Sequence, residues 1–170
     1  AAANFYNQND NRFGENARNY YEHARENDLC LTHTLINPQS NRALTASGHP
    51  SADVALRIVD ENADGMVVRG ARILATLGPL ADEIMVFPST VLKAAADTAS
   101  FAFAFTIPCG TPGMKMICRE ALAYGESRVD HPLSSRFEEM DTIVVFDDVL
   151  VPWDRIFLKS DPELCSRHFP

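Results

Sequence analysis

The sequence lacks the features that mark a membrane protein or a secreted disulfide protein. No run approaches the ~18 consecutive apolar residues of a membrane span. The Asn-rich start, residues 1–10, has neither the charged nor the apolar region of a signal peptide. The four cysteines are scattered, and no Cys-x-x-Cys occurs. We therefore expect reduced thiols in a cytoplasmic protein that does not contact a membrane.

Positive charge is also scarce. The 170 residues carry a net charge of −8, and no basic block or stripe offsets it. This balance argues against nucleic acid or an anionic lipid surface as a partner. The five histidines show no ligand spacing with one another or with the cysteines, so no metal site is expected.

The signature motifs of several enzyme classes are missing too. The chain has no GxGxxG and no GxxxxGK[ST], which excludes the usual Rossmann and P-loop nucleotide sites. It has no GxSxG and no HExxH, which leaves little support for a hydrolase.

Hydrophobic periodicity predicts a helix followed by strands. Apolar residues at helical spacing predict a helix over residues 13–28. From residue 52 the period changes to two, and two β-rich runs flank the Asp64–Gly65 turn as a hairpin. "FAFAFTI" alternates strictly over seven residues, and residues 121–141 read as one long polar loop. At least six strands at roughly 10-residue spacing predict a mainly β fold, an antiparallel barrel or sandwich with an N-terminal helix.

The stretch "LCLTHTLINPQSNR", residues 29–42, places polar side chains among apolar ones. His33 lies between two threonines, and neutral amides and one arginine follow within nine residues. Neutral amides match imide-like edges, and arginine grips a phosphate or carboxylate. A flavin or nucleotide would need this combination. For a lone histidine, however, a buried ring bonded to a backbone carbonyl is the commoner explanation.

Three further hydroxyls lie at the ends of predicted strands. Thr76 precedes Gly78–Pro79, and Ser89 and Thr90 follow Pro88. Singly, each is explained as a β-branched strand residue or a turn cap. Gathered with His33 at one end of the sheets, they would form a candidate site.

Four segments together resemble a known family. "ENDLCLTHTLINPQSNR", "GMVVRGARILATLGPLADEIMVFPST", "FAFAFTIPCGTPGMKMICRE" and "FDDVLVPWDRIF" are similar to the 4-hydroxyphenylacetate 3-monooxygenase family, the oxygenase components of two-component flavin-dependent phenol hydroxylases. The wider pattern resembles the middle β-domain of the acyl-CoA dehydrogenase-like superfamily. The resemblance implies a helical segment at 1–28, a middle β-barrel domain at 29–158, and at 159–170 the start of a linker to a C-terminal helical domain.

The resemblance also implies an activity. A separate flavin reductase would supply reduced FAD, which reacts with O2 to a C4a-hydroperoxide and ortho-hydroxylates 4-hydroxyphenylacetate or a similar phenol to a catechol. A homotetramer would be expected for the full-length enzyme, and an isolated middle domain would be inactive.

The resemblance assigns roles to particular residues. His33 would contact both the flavin and the phenol oxygen and is the expected catalytic residue. Ser89 and Thr90 would bind the substrate. The remaining expected flavin contacts are Thr34, Leu35, Gln39, Ser40, Asn41, Arg42 and Thr76.

Three alternatives stay open. An acyl-CoA dehydrogenase-type enzyme would use the same fold for another reaction. A flavin and iron–sulfur dehydratase would need a compact set of Cys and His ligands, which the sequence does not show. A non-catalytic β-domain is the third.

Overall fold

Among the residues that the structure describes, two α-helices precede eight strands and a third α-helix follows them. The computed structural model describes residues 2–38, 54–89, 92, 95–121, 127–133, 135–137 and 139–167. Within these ranges the α-helices are α1 (Ala2–Tyr6), α2 (Asn11–Glu26) and α3 (Pro162–Ser166). The strands are β1 (Leu31–Thr34), β2 (Arg57–Glu61), β3 (Gly65–Thr76), β4 (Glu83–Val86), β5 (Phe103–Pro108), β6 (Met114–Cys118), β7 (Asp141–Pro152) and β8 (Ile156–Lys159). None of the helices in these ranges is long and apolar enough to cross a membrane.

Helix α2 confirms the predicted N-terminal helix, although it begins and ends about one half-turn earlier. Asp10 caps its start, because the carboxylate accepts a hydrogen bond from the backbone N–H of Arg12 at 2.8 Å. Phe13 and Tyr20 are buried on the predicted apolar face, whereas Tyr21 is exposed. Asn16 then fixes the helix to the sheet by donating to the carbonyls of Trp153 and Ile156.

The strands form two four-stranded sheets. The first has the order β1-β4-β5-β8 and the second β2-β3-β7-β6. The predicted hairpin is confirmed as the antiparallel pair β2–β3. Asn62 closes its turn by accepting hydrogen bonds from the backbone N–H groups of Asp64 and Gly65.

The mainly β prediction is therefore confirmed, whereas a closed barrel is not. Among the described residues the ladders stay within their own sheets, and an isolated bridge between Ile36 and Ile73 joins the first sheet's edge to the second. One pair, β1–β4, is parallel rather than antiparallel. The spacing of strands along the chain does not predict whether a barrel closes or which pair is parallel. Both depend on which strands become neighbours in the folded chain.

The core lies between the two sheets and extends under α2. Phe105 of the first sheet meets Phe146 of the second edge to face, with ring centroids 6.2 Å apart. The predicted strand at "FAFAFTI" begins at Phe103, because a 3-10 turn ends at Phe101, and its residues from Phe103 to Ile107 are buried.

Four short elements were missed by the periodicity, among them helix α1, which has five residues. Strand β1 is too polar and β8 too short, at four residues, to show an alternating pattern. Helix α3 lies in the predicted linker and buries Leu164 and Cys165. The described parts of residues 121–141 form turns up to the start of β7, as predicted.

A buried ion pair connects the face of the first sheet to the helical side. Both carboxylate oxygens of Glu83 accept from Nη1 of Arg155, at 3.1 and 2.9 Å, and Oγ1 of Thr106 donates to the same carboxylate at 3.3 Å. The Arg155 guanidinium also lies 5.6 Å from the ring centroid of Tyr20 on α2. The Glu83 side chain is 6% exposed, so its charge depends on these partners.

Arg155→Met should therefore lower the free energy of unfolding by about 3 kcal/mol. It removes the arginine from a buried carboxylate whose other ion-pair contact among the described residues is Nε2 of the exposed His23, at 3.7 Å. Adding Glu83→Gln should recover a large part of that loss. Urea unfolding of both variants measures the effect. The exposed pair Arg69–Asp148, at 2.6 Å, is the matched control, and Arg69→Met should cost less than about 1 kcal/mol. Equal losses from the two single variants would contradict the buried-pair interpretation.

Candidate functional site

Strand β1 is held on both sides by hydrogen bonds. It pairs in parallel with β4, so that His33 lies opposite Met85. Its alternate residues Thr32 and Thr34 are buried and point toward β3. Their hydroxyls donate to the carbonyls of Thr76, at 2.6 Å, and Ile73, at 2.9 Å. The threonines of this polar stretch thus satisfy backbone carbonyls of a neighbouring strand.

His33 points the other way, out of the core. It is exposed, and its ring centroid lies 6.3 Å from that of Phe87 with the planes tilted by 56°. Within the described part of the chain, no hydrogen bond involves either ring nitrogen. The alternative of a buried histidine bonded to a backbone carbonyl is therefore wrong. Both ring nitrogens are available to a ligand on this face.

Thr76 lies where β3 ends and faces Asp141 at the start of β7. Its hydroxyl donates to Oδ1 of Asp141 at 2.7 Å, and the two residues are cross-strand partners. A hydroxyl that donates to a carboxylate keeps its lone pairs for an incoming N–H. Sequence reasoning missed Asp141, and only the strand register could have revealed it.

Two buried polar groups near the end of β1 have no hydrogen-bond partner. They are Oγ of Ser89, in a residue that is 5% exposed, and Oδ1 of Asn37, in a residue that is 8% exposed. Buried polar atoms are rarely left unsatisfied, because each costs about 1–3 kcal/mol. Such atoms fit a site whose ligand would complete their hydrogen bonds.

The structure brings part of the predicted site together. The backbone N–H of Phe87 donates to the carbonyl of Thr34 at 3.0 Å, so the chain leading to Ser89 runs beside the end of β1. Thr76 reaches the same strand through Thr32. The remaining predicted residues, Gln39, Ser40, Asn41, Arg42 and Thr90, lie outside the described residues.

The backbone carbonyl of Leu35 accepts a hydrogen bond from Arg72, a residue that the sequence analysis did not single out. The donor is Nη1 of the guanidinium, at 3.1 Å. Arg72 is fully buried, and burial lowers the pKa of its guanidinium to about 9. It therefore remains a cation at neutral pH.

An apolar cavity of about 660 Å³ lies between the helices and the first sheet. Tyr20 and Tyr21 of α2 form one wall, and Leu31, Met85 and Phe87 form the opposite wall. Because Leu31 and His33 are two positions apart on one strand, their side chains lie on the same face, so the cavity shares its sheet face with the histidine. Among the described residues, no group of His, Cys, Asp or Glu side chains could hold a metal ion.

Comparison with known proteins places these features in a family. A family model described as "4-hydroxyphenylacetate 3-hydroxylase N terminal" matches residues 1–158. The chain is 53% identical, over 168 residues, to the 4-hydroxyphenylacetate 3-monooxygenase oxygenase component of Geobacillus sp. (strain PA-9). That match covers 99% of this chain and 34% of the relative. The chain thus spans about a third of the length of the curated relatives it matches.

Solved structures agree with this match. The oxygenase component of 4-hydroxyphenylacetate 3-monooxygenase complexed with FAD and 4-hydroxyphenylacetate superposes with a TM-score of 0.86 at 49% identity. It covers 99% of this chain, which covers 34% of that structure. An archaeal 4-hydroxybutyryl-CoA dehydratase from N. maritimus has a TM-score of 0.82 at 21% identity, covering 91% and 31%. A butyryl-CoA dehydrogenase from Megasphaera elsdenii has 0.51 at 22%, covering 81% and 30%. These two share the fold alone.

The hydroxyl of Thr34 should contribute measurably to the position of β1. Thr34→Val keeps the shape but leaves a buried carbonyl without this donor, so the free energy of unfolding should fall by about 1–2 kcal/mol. Chemical denaturation measures the loss. Thr111→Val is the control, because that hydroxyl bonds the carbonyl of Pro108 at an exposed turn and should change stability by less than about 0.5 kcal/mol. A Thr34→Val variant as stable as the control would show that the hydrogen bond from Thr34 to Ile73 does not hold β1 in place.

Proposed function

The chain belongs to the 4-hydroxyphenylacetate 3-hydroxylase family, and we propose from this membership that it is part of an FAD-dependent two-component monooxygenase. The enzyme would ortho-hydroxylate 4-hydroxyphenylacetate or a similar phenol to a catechol. The observation that carries the proposal is the exposed His33, which presents two unbonded ring nitrogens beside Phe87. Its support is the similarity to a solved structure that contains FAD and 4-hydroxyphenylacetate.

The polar groups at the end of β1 fit a flavin. A flavin ring presents neutral donors and acceptors along its edge, and it needs neutral hydrogen-bonding partners in return. The Thr76 hydroxyl can accept from a ring N–H, because its own proton is engaged by Asp141. Asn37, which follows the other end of β1, offers an unsatisfied acceptor. Thr34 and Leu35 would contact the cofactor through backbone atoms, since the Thr34 hydroxyl is engaged by β3. Gln39 to Arg42 are proposed for the ribityl and phosphate side.

His33 is the proposed catalytic residue. Bound reduced FAD would supply the activation of O2. The imidazole would accept or share the phenol proton, and a phenol with more phenolate character has a more nucleophilic ortho carbon. Imidazole suits this task, because its ordinary pKa of about 6.5 lies close to neutral pH.

The surroundings of His33 would hold the ring and limit water. Phe87, Met85 and Leu31 give the sheet face an apolar surface next to the histidine. Ser89, with its buried and unsatisfied hydroxyl, is proposed to bind the substrate together with Thr90. Apolar walls strengthen the few hydrogen bonds made inside such a site, because they exclude competing water.

Several features of the whole enzyme are part of the proposal. They are a flavin reductase as partner, a homotetramer and a cytoplasmic location. The chain would comprise the end of a helical domain at 1–28, a middle barrel-type β-domain at 29–158 and the start of a linker at 159–170. By itself it would be inactive, because it spans about a third of its relatives.

One experiment tests the activity directly. A full-length protein that carries this chain is mixed with chemically reduced FAD, O2 and a panel of para-substituted phenols, and the products are separated by chromatography. Catechol formation from 4-hydroxyphenylacetate or a related phenol is expected. Rapid consumption of O2 with no catechol from any phenol would contradict the proposal and favour another flavoenzyme reaction on this fold.

His33→Ala should lower the rate of hydroxylation by about a hundredfold, because it removes the group that shares the phenol proton. FAD affinity should fall less than the rate. Catechol yield and FAD binding are measured in the same full-length protein. His131→Ala is the control, because His131 lies in the turn region of residues 127–133 and should change neither quantity. Wild-type catechol yield from His33→Ala would show that the assigned role is wrong.

A further inference from the structure

Arg72 is a cation placed inside the apolar core. It lies on β3, is 0% exposed and has its guanidinium carbon 5.4 Å from the ring centroid of Phe103. Its single hydrogen bond joins Nη1 to the carbonyl of Leu35. Nε and Nη2 have no hydrogen-bond partner, and no carboxylate among the described residues forms an ion pair with it.

Packing does not explain why an arginine occupies this position. Other buried residues of β3, such as Met66, Val68 and Ala75, are apolar. An apolar side chain of similar volume is often as stabilising as a buried charge, because removing a charge from water costs several kcal/mol. Burial lowers the pKa of Arg72 to about 9, because the charged form loses its hydration in the core. A residue kept at such a cost is a candidate for a functional role.

The group that Arg72 holds belongs to the candidate site. Three hydrogen bonds fix the end of β1 to β3. Thr34 donates to the carbonyl of Ile73, the N–H of Ile73 donates to the carbonyl of Ile36, and Arg72 donates to Leu35 between them. Of these donors only Arg72 carries a charge, and its bond is made at a residue proposed to contact FAD.

We propose that Arg72 is a positioning residue which fixes the His33–Leu35 segment and whose unpaired charge makes the adjacent site favour a reduced, anionic flavin over the oxidised one. The inference rests on the proposed function. The isoalloxazine ring of reduced FAD is negatively charged at neutral pH, whereas the ring of oxidised FAD is neutral, and the diphosphate carries the same charge in both forms. A ligand that contacts the backbone of Leu35 would lie close to the guanidinium bonded to the same residue, and the low-dielectric core screens that charge weakly.

Two substitutions separate the charge from the hydrogen bond. Wild-type Arg72 supplies both, Arg72→Gln keeps a neutral donor toward Leu35, and Arg72→Met keeps neither. Arg69→Met is the matched control. Arg69 lies on the same strand, three residues before Arg72, but its side chain is 51% exposed. Thermal unfolding of each full-length variant shows whether it has folded.

The measurement is the ratio of dissociation constants for oxidised and for dithionite-reduced FAD, obtained by anaerobic titration calorimetry. Arg72→Gln and Arg72→Met should lower the preference for reduced FAD about tenfold relative to wild type. Arg69→Met should keep the wild-type preference. If Arg72→Met does not fold, the comparison of Arg72→Gln with the wild type decides.

One outcome would contradict the role of Arg72 alone, and another would contradict the proposed function as well. Equal ratios in Arg72→Gln and in the wild type, in proteins that still hydroxylate a phenol, would overturn the role of Arg72 and leave the proposed function standing. A folded wild-type protein that binds neither form of FAD would overturn the proposed function, and this inference with it.

Discussion

The position of one short strand determines the candidate site. Strand β1 has only four residues, and its side-chain hydroxyls fix it to β3 while its backbone pairs with β4. The hydroxyls of Thr32 and Thr34 therefore supply hydrogen bonds that hold this short strand in place, as additional backbone pairs would hold a longer one. Because side chains alternate along a strand, burying the threonines turns His33 outward. A shift by one residue would bury the histidine and expose the hydroxyls.

The same strand end concentrates polar groups whose hydrogen bonds are incomplete. Oδ1 of Asn37, Oγ of Ser89 and two nitrogens of Arg72 are buried without partners. Folded proteins rarely tolerate several such atoms, and functional sites are where they do. Asp141 and the Glu83–Arg155 pair show the opposite arrangement, in which each buried or half-buried charge has a defined partner. Elsewhere in the described residues, Oη of Tyr20 and Oγ of Ser135 are also buried without partners, so the strand end stands out by the number of such atoms and not by their presence alone.

Much of the architecture could be predicted because it depends on local patterns. The apolar positions of α2 recur at the helical period, and the β2–β3 hairpin follows from two alternating runs around Asp64–Gly65. Strand β5 was predictable for the same reason. The parallel β1–β4 pair and the two separate sheets were not, since no local pattern states which strands become neighbours.

For the site, the sequence by itself determined which residue types were available and, through resemblance, which of them to consider. His33, Thr76 and Ser89 could be named in this way. Only the tertiary structure decided that His33 is exposed, that Thr76 is oriented by Asp141, and that Arg72 is buried against Leu35. The physical reason is sequence distance. These contacts join residues 37 to 65 positions apart, and burial removes water from groups whose partners the local sequence does not contain.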